Sequence, residues 1–492
     1  MRAQRAMEGK NSMKDMILIL NYSNEFSMEM ARRLRAEHVC AKIVAGDMTA
    51  EQVRELAPKG VILSGEAYGD AASLDAGVLE LGIPVLAMGH TAQQMLAYMG
   101  GACADVSISQ KKAAVEYGKS DLFTGVLDGE RYFEEVRTMM LPPDLQETAS
   151  AGGCTIAFEH TEKKLYGVQF ELERNDPEGT AILFNFARSI CGCSDWWTLD
   201  AALEHAQALL EQAAAKGGNA VCAVSGGVDS TVAAYLAHKA FGEKMTAIFV
   251  DTGLMREGEV EAVRAFFEEL DIPLTVIGRS VEILKKLACK KSEEEKRKVV
   301  ISSIDEAMLR ESNAIEGRKT LVLGTNYSDF LENGSSETKW RESGMAVVEP
   351  LLDMLKHEVR EMAEKLGMRA EIVERKPFPA LGLGARIVGE VTADRLHALR
   401  MAEVTFREEI EEAGLDRKLY KYFPVLIGND AVSGKETMVL RAVTLSGGQL
   451  IPARLPYDLI ERTVLRIMAE SPAVARVFYD QTPTPVGKES FS

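Results

Sequence analysis

Positive charge is in short supply in this chain of 492 residues: 57 lysines and arginines face 74 aspartates and glutamates, a net charge of −17. A dedicated nucleic-acid binder needs a basic face, so that class is excluded and a soluble protein is expected. No uninterrupted apolar run is long enough to span a bilayer, and residues 1–14 are polar and charged rather than signal-like. A membrane-spanning segment is therefore not expected, and a cytoplasmic location is the expectation. The seven cysteines (Cys40, Cys103, Cys154, Cys191, Cys193, Cys222 and Cys289) are odd in number and scattered, which argues against a disulfide framework. Only Cys191 and Cys193 are close together, and without further ligands at zinc-like spacing, free thiols are the expected state. Internal repeats and low-complexity tracts are absent as well. The length exceeds what one core accommodates, so two or three domains are expected.

Residues 15 to about 190 alternate short apolar runs (16–20, 60–64, 84–88) with amphipathic stretches, the pattern of an α/β domain. Residues 191–197 form a plausible boundary, followed by a helical lead-in over 199–215. A second α/β unit opens with a strand over 220–224 and a helix over 231–240 closed by Gly242. Two further strands, 245–250 and 320–323, end in Asp251-Thr252-Gly253 and Gly324-Thr325-Asn326-Tyr327. From about 394 the pattern changes to helices (395–413, 455–469) with alternating strands (436–444, 476–479), a small α+β unit.

Between strand 220–224 and its helix stands Ser225-Gly226-Gly227-Val228-Asp229-Ser230. A loop at a helix N-terminus presents unpaired backbone N–H groups to an anion, glycines let the backbone approach closely, and serines add hydroxyl donors. The common triphosphate motif places a lysine before its final hydroxyl residue, whereas Asp229 stands there in this chain. The string resembles instead the loop of the ATP pyrophosphatases, which cleave ATP between the α and β phosphates. Asp251 and the Gly324 loop fall at carboxyl ends of strands, where open parallel sheets bind ligands, so three loops are expected to converge on one site.

The order of segments and many strings together resemble the GMP synthase family over nearly the whole chain. The strings include residues 62–65, Tyr166-Gly-Val-Gln-Phe170, residues 190–194 before Trp197, the phosphate loop, residues 250–254, Lys296-Arg297-Lys298 and Glu349-Pro-Leu351. Pro377-Phe-Pro379 leading to Arg386, then residues 389–390, 440–443 and 453–458, extend the match. The resemblance implies a flavodoxin-like class I glutamine amidotransferase domain over 15–190 and an adenine-nucleotide alpha-hydrolase-like ATP pyrophosphatase domain over 199–393. A C-terminal α+β dimerisation domain over 394–492, and hence a homodimer, is implied too. It also implies that XMP is adenylated by ATP and aminated by ammonia to give GMP, AMP and pyrophosphate. On this basis Ser225, Gly226, Gly227, Val228, Asp229 and Ser230 hold the phosphates with Mg2+ bridging them, and Asp251 and Gly324 frame the adenosine side. Asp329 lies near the metal, Asp229 and Lys339 serve activation, a mobile Lys296–Lys298 stretch neutralises departing pyrophosphate, and Arg386 contacts the acceptor nucleotide. Which donors would hold a metal is left open.

The chain departs from that family at two places. The glutaminase elbow, a G-x-C-x-G string, reads Ala87-Met88-Gly89-His90-Thr91, so the nucleophile position is Gly89. The His-Pro-Glu string that supplies the base reads Glu171-Leu172-Glu173. Neither His90 nor Cys103 occupies a matching position, so loss of glutamine hydrolysis is expected, with free ammonia or a separate amidotransferase as nitrogen source. The elbow turn itself is expected to survive, because glycine adopts its strained conformation freely. On the acceptor side, the C-terminal string 484–492, the residues after Lys339, and the segment 379–386 all differ from the family pattern. Two alternatives therefore stay open: a diverged paralogue with another acceptor, and a non-catalytic nucleotide-binding regulator.

Overall fold

The computed structural model describes residues 15–22, 24–65, 74–105, 112–133, 137–170, 172, 177–317, 319–333, 340, 344–375, 378, 381–429, 433–446 and 449–482. Lys339, Glu171, Glu173 and the C-terminal string 484–492 lie outside them. The chain divides into two compact units, Met1–Glu204 and His205–Ser492.

The first unit is built on a nine-stranded sheet. Its parallel part runs Cys40–Ala45, Met16–Asn21, Gly60–Ser64, Val85–Met88 and Leu165–Val168. Antiparallel strands Cys154–His160 and Gln146–Ala151 extend it. Met16 to Leu20 are buried without alternation, as strands covered on both faces must be. The elbow follows the strand Val85–Met88 and leads into the helix His90–Tyr98.

The second unit contains a five-stranded, all-parallel sheet in the order Leu274–Gly278, Met245–Asp251, Asn219–Val224, Lys319–Val322, Ala346–Val348. The chain starts in the middle strand and moves first to one side, then to the other. The carboxyl end of Asn219–Val224 is thus the point where the winding reverses and a crevice opens. A second, four-stranded sheet pairs Glu436–Ser446 with Lys421–Asn429 on one side and with Gln449–Pro452 and Val474–Asp480 on the other. The strand Lys421–Asn429 does not follow from the sequence pattern, because Pro424 interrupts it. The proline is tolerated because this strand is at the sheet's edge, where a missing N–H costs no ladder bond.

One continuous core joins these two sheets. Leu254, Ile283 and Val300 pack in the same cluster as Leu383, Leu399, Phe406, Leu440 and Ile467. The long helix Ala393–Glu412 carries much of that contact, and Arg400 at its middle reaches the loop after Asp251, donating to the carbonyls of Gly253 (2.7 Å) and Met255 (3.1 Å). The C-terminal sheet therefore supports the crevice of the parallel sheet directly.

Candidate active site

The phosphate loop is shorter than the sequence pattern suggests, because the helix starts at Val228 rather than Thr231 and runs to Phe241. Asp229 and Ser230 thus lie in its first turn, where an acidic side chain faces the positive end of the helix dipole. Gly226 has φ +80°, a conformation side chains rarely adopt, and an ideal Cβ there would lie 2.6 Å from Val263 Cγ2. Ser230 is buried, and its hydroxyl accepts from the Ser225 amide (3.1 Å) and donates to the Gly227 carbonyl (3.1 Å). It holds the turn closed. Ser225 is exposed, and the Gly227 amide points to its hydroxyl at 3.4 Å.

The Gly324 loop packs against this first turn. A Cβ on Gly324 would sit 2.6 Å from Ser230 Cα and 2.7 Å from its nitrogen, so only glycine permits the approach. That closeness delivers Asn326, fully buried, whose amide donates to Asp229 Oδ1 at 3.1 Å while its oxygen accepts from the Asp329 backbone N–H at 3.1 Å. From the helix Lys356–Lys365, the Lys356 ammonium lies 3.4 Å from Asp229 Oδ2. Both carboxylate oxygens of Asp229 are consequently aimed, one by an amide and one by a cation. Asp251 shapes its own loop: Oδ1 accepts from the Gly253 amide at 2.8 Å and its carbonyl from Arg279 at 2.8 Å. Arg375 closes the other side of the phosphate loop, donating to the Gly226 carbonyl at 2.7 Å and pairing with Glu259.

Ser225 to Ser230, Gly324, Asn326 and Asp329 are thus brought together, with Asp251 one strand away. Asn326, Lys356, Arg375 and Glu259 were not legible as site residues. Asn326 falls inside the Gly324–Tyr327 string, but nothing local distinguishes it, and the other three approach from distant segments. Arg386, expected on the acceptor, is 1% exposed, with its guanidinium 5.4 Å from the Phe378 ring centre and 4.8 Å from that of Phe423. It lies within the segment Gly382–Arg386, which is tied to the Asp251 side by the Leu383 amide on the Leu254 carbonyl (2.7 Å).

The expectation for Lys296–Lys298 needs correction. The three residues lie in a regular helix, Glu293–Ala314, opened by a capping box of Ser292 and Glu295. Lys296 is not solvated: it is 3% exposed and donates to the Ile387 carbonyl at 2.5 Å. Burial, helped by the Arg395 guanidinium and opposed by Glu293, pushes its ammonium down to about 8. Lys298 is the surface residue of the three, paired with Glu294 at 2.6 Å. Because the unfolded chain keeps the Lys296 proton up to its ordinary 10.5 while the folded protein sheds it near 8, folding stability gains with rising pH inside that window. The contribution is on the order of 3 kcal/mol. Urea-unfolding midpoints of Lys296→Met measured across the window should lack this rise; parallel slopes for both proteins would refute it.

In the first unit, Gly89 keeps the geometry of an elbow. Its φ is +53° and ψ −122°, its amide donates to the Val168 carbonyl at 2.8 Å, and a Cβ would meet the Gly65 carbonyl oxygen at 3.1 Å. The buried Thr91 hydroxyl stitches the turn to the neighbouring strand, accepting from the Met88 amide at 3.0 Å and reaching the Leu63 carbonyl at 2.9 Å. His90 meets Gln94 Nε2 at 2.9 Å through its Nε2, one helical turn away. Cys103 lies on the separate ribbon Ala102–Asp105, and burial raises its thiol pKa, the opposite of what a thiolate nucleophile needs. All seven cysteines are free, and burial likewise pushes Cys193 up to about 11 and Cys222 to about 12.

The family model described as glutamine amidotransferase class-I matches residues 18–190, and that described as NAD synthase matches residues 202–396. The GMP synthase [glutamine-hydrolyzing] of Geobacillus kaustophilus is 34% identical over 503 residues, covering 96% of this chain and 98% of its own. That of Caldanaerobacter subterraneus subsp. tengcongensis is 35% identical over 510 residues, with the same coverage of 96% and 98%. The chain belongs to the GMP synthase family. It is accordingly an ATP-dependent carbon–nitrogen ligase, with a class I amidotransferase fold followed by an ATP pyrophosphatase fold. Among the described residues, no helix is long and apolar enough to cross a membrane.

Proposed function

We propose that this GMP synthase family member adenylates XMP with ATP and aminates it with free ammonia, without hydrolysing glutamine itself. The observation that carries the reading is the contrast between the phosphate loop and the elbow: Asp229 is aimed by Asn326 and Lys356, whereas Gly89 preserves a turn with no side chain to attack an amide.

The chemistry follows from leaving groups. An oxo group on an amide-like carbon departs poorly, so its oxygen first attacks the α-phosphorus; the new P–O bond forms as the α–β bridge breaks and pyrophosphate leaves. Ammonia then attacks the activated carbon, loses a proton, and AMP departs with the former oxo oxygen. The chain's part is to hold the phosphates on the helix N-terminus after Gly227, to aim Asp229, and to offset charge in a protein of net −17. Lys356 supplies cationic charge beside the loop, and Lys339 remains the proposed second activating residue. Mg2+ would sit on Asp229 and Asp329, neutralising phosphate charge. Such a metal takes one or two carboxylates plus substrate phosphates.

The division into 15–190, 199–393 and 394–492 belongs to the proposal, as does a homodimer through the C-terminal part. Tyr457, Leu465 and Met468 are exposed on one face of the helix Tyr457–Glu470, with Phe478 exposed on the strand Val474–Asp480, which supports such an interface. A separate amidotransferase is the other proposed partner. The altered strings at 379–386, after Lys339 and at 484–492 favour one second reading, the same adenylation on a different oxo acceptor.

Pure protein incubated with ATP, Mg2+, XMP and ammonium should release equimolar pyrophosphate and GMP, and glutamine in place of ammonium should give neither above background. Pyrophosphate without GMP would transfer the reading to another acceptor. Failure to bind or cleave ATP would overturn both.

A further inference from the structure

Arg375 carries no role in any motif of the sequence, yet it touches the phosphate loop at its most constrained residue. Its Nη1 donates to the Gly226 carbonyl at 2.7 Å, its Nη2 pairs with Glu259, and its guanidinium carbon lies 5.8 Å from the centre of the Phe266 ring. The two charged side chains are only 14% and 9% exposed, so the pair is withheld from solvent. Glu259 opens the helix Glu259–Glu269, whose positive end favours the carboxylate and makes it a fixed anchor.

The consequence lies in the peptide between Gly226 and Gly227. A trans peptide is planar, with its C=O and N–H pointing opposite ways. Holding the Gly226 oxygen on Arg375 turns the Gly227 N–H away from Arg375 and toward the exposed Ser225 hydroxyl, 3.4 Å off. Gly226 at φ +80° has no Cβ to lock this peptide by itself, so an outside group must set its orientation. We propose that Arg375 is a positioning residue of the nucleoside triphosphate site: anchored by Glu259, it fixes the Gly226–Gly227 peptide so that the Gly227 N–H faces the incoming phosphate. The inference rests on the reading of this loop as an ATP site. A lysine ammonium also has several donors, but it lacks the rigid planar fork that spans the Gly226 carbonyl and the Glu259 carboxylate from this position, so charge alone is not expected to substitute.

The test uses the full chain and three variants, Arg375→Ala, Arg375→Lys and Glu259→Gln, with ATP affinity followed by titration calorimetry and pyrophosphate release by a coupled assay. Arg375→Ala and Arg375→Lys should each weaken ATP binding by roughly tenfold or more, the loss of a charge-assisted bond. Added guanidinium should restore part of the affinity to Arg375→Ala only. The near-isosteric Glu259→Gln should show a smaller loss in the same direction. Unchanged ATP affinity in Arg375→Lys and Glu259→Gln overturns the proposal, even where Arg375→Ala fails to fold. Guanidinium without effect on a folded Arg375→Ala also overturns it. An unmodified protein that does not bind ATP sinks the functional reading itself, whereas tight binding shared by the unmodified chain and all variants sinks this inference alone.

Discussion

Asp229→Ala is expected to cut ATP-dependent pyrophosphate release by about a hundred- to a thousandfold, the scale of losing a preorganised polar group where charge develops, while the protein still folds. The reason is the asymmetry of the residue's surroundings. Asp229 is only half-buried in the first turn of its helix, and no core cluster depends on it. What it loses on truncation is the Asn326 bond (3.1 Å) and the Lys356 contact (3.4 Å). An unpaired amide on the fully buried Asn326 costs on the order of 1–2 kcal/mol, which shifts the melting temperature by a few degrees. Asp229→Asn separates shape from charge: it keeps the side chain's outline but not its charge, and should be nearly as inactive. The measurement is pyrophosphate release with ammonium as nitrogen source, beside a thermal melt of each variant. Retention of a tenth or more of the activity in Asp229→Ala would remove this residue from the site.

The second large effect concerns nitrogen supply. Gly89→Cys, which restores a thiol at the elbow, should still release no glutamate from glutamine above background. The side chain would enter a sparsely populated positive-φ conformation (φ +53°, ψ −122°) with its Cβ 3.1 Å from the Gly65 carbonyl oxygen, costing roughly 1–3 kcal/mol in stability. A thiol also needs a base in hydrogen-bond reach to become a nucleophile, a factor of about a hundred to ten thousand in rate. The matching string carries Glu171 and Glu173 instead, and neither His90, engaged with Gln94, nor the raised thiol of Cys103 supplies the missing group. Glutamate assays on the single variant decide the point; turnover at an ordinary glutaminase rate would show that a base exists elsewhere.

Local sequence went far in the two α/β units because their signals are short-range. Strand runs at 16–20 and 60–64, and the glycines and serines at 225–230, each state a backbone need that neighbours along the chain can satisfy. It failed at Lys421–Asn429, where an edge position excused Pro424. It failed again at Lys296, where three acids and three bases in a row look like a solvated face but the helix turns the first lysine into the core. Helix phase relative to a partner is not written in a charge run.

The sequence by itself determined the strand–loop–helix cradle, the family it resembles, and the absence of a nucleophile at position 89, all properties of contiguous residues. Only the tertiary structure decided that Asn326 and Lys356 aim Asp229, that Arg375 and Glu259 hold the Gly226 carbonyl, and that Arg386 is enclosed by two rings. Those partners are separated by 97, 127, 149, 116 and at most 37 positions along the chain. The partners of Asp229 and Gly226 meet because a parallel sheet winding outward from Asn219–Val224 gathers its carboxyl-end loops at one crevice, and Arg386 meets Phe423 because the four-stranded sheet packs in the same core, properties of strand order and packing that no local pattern carries.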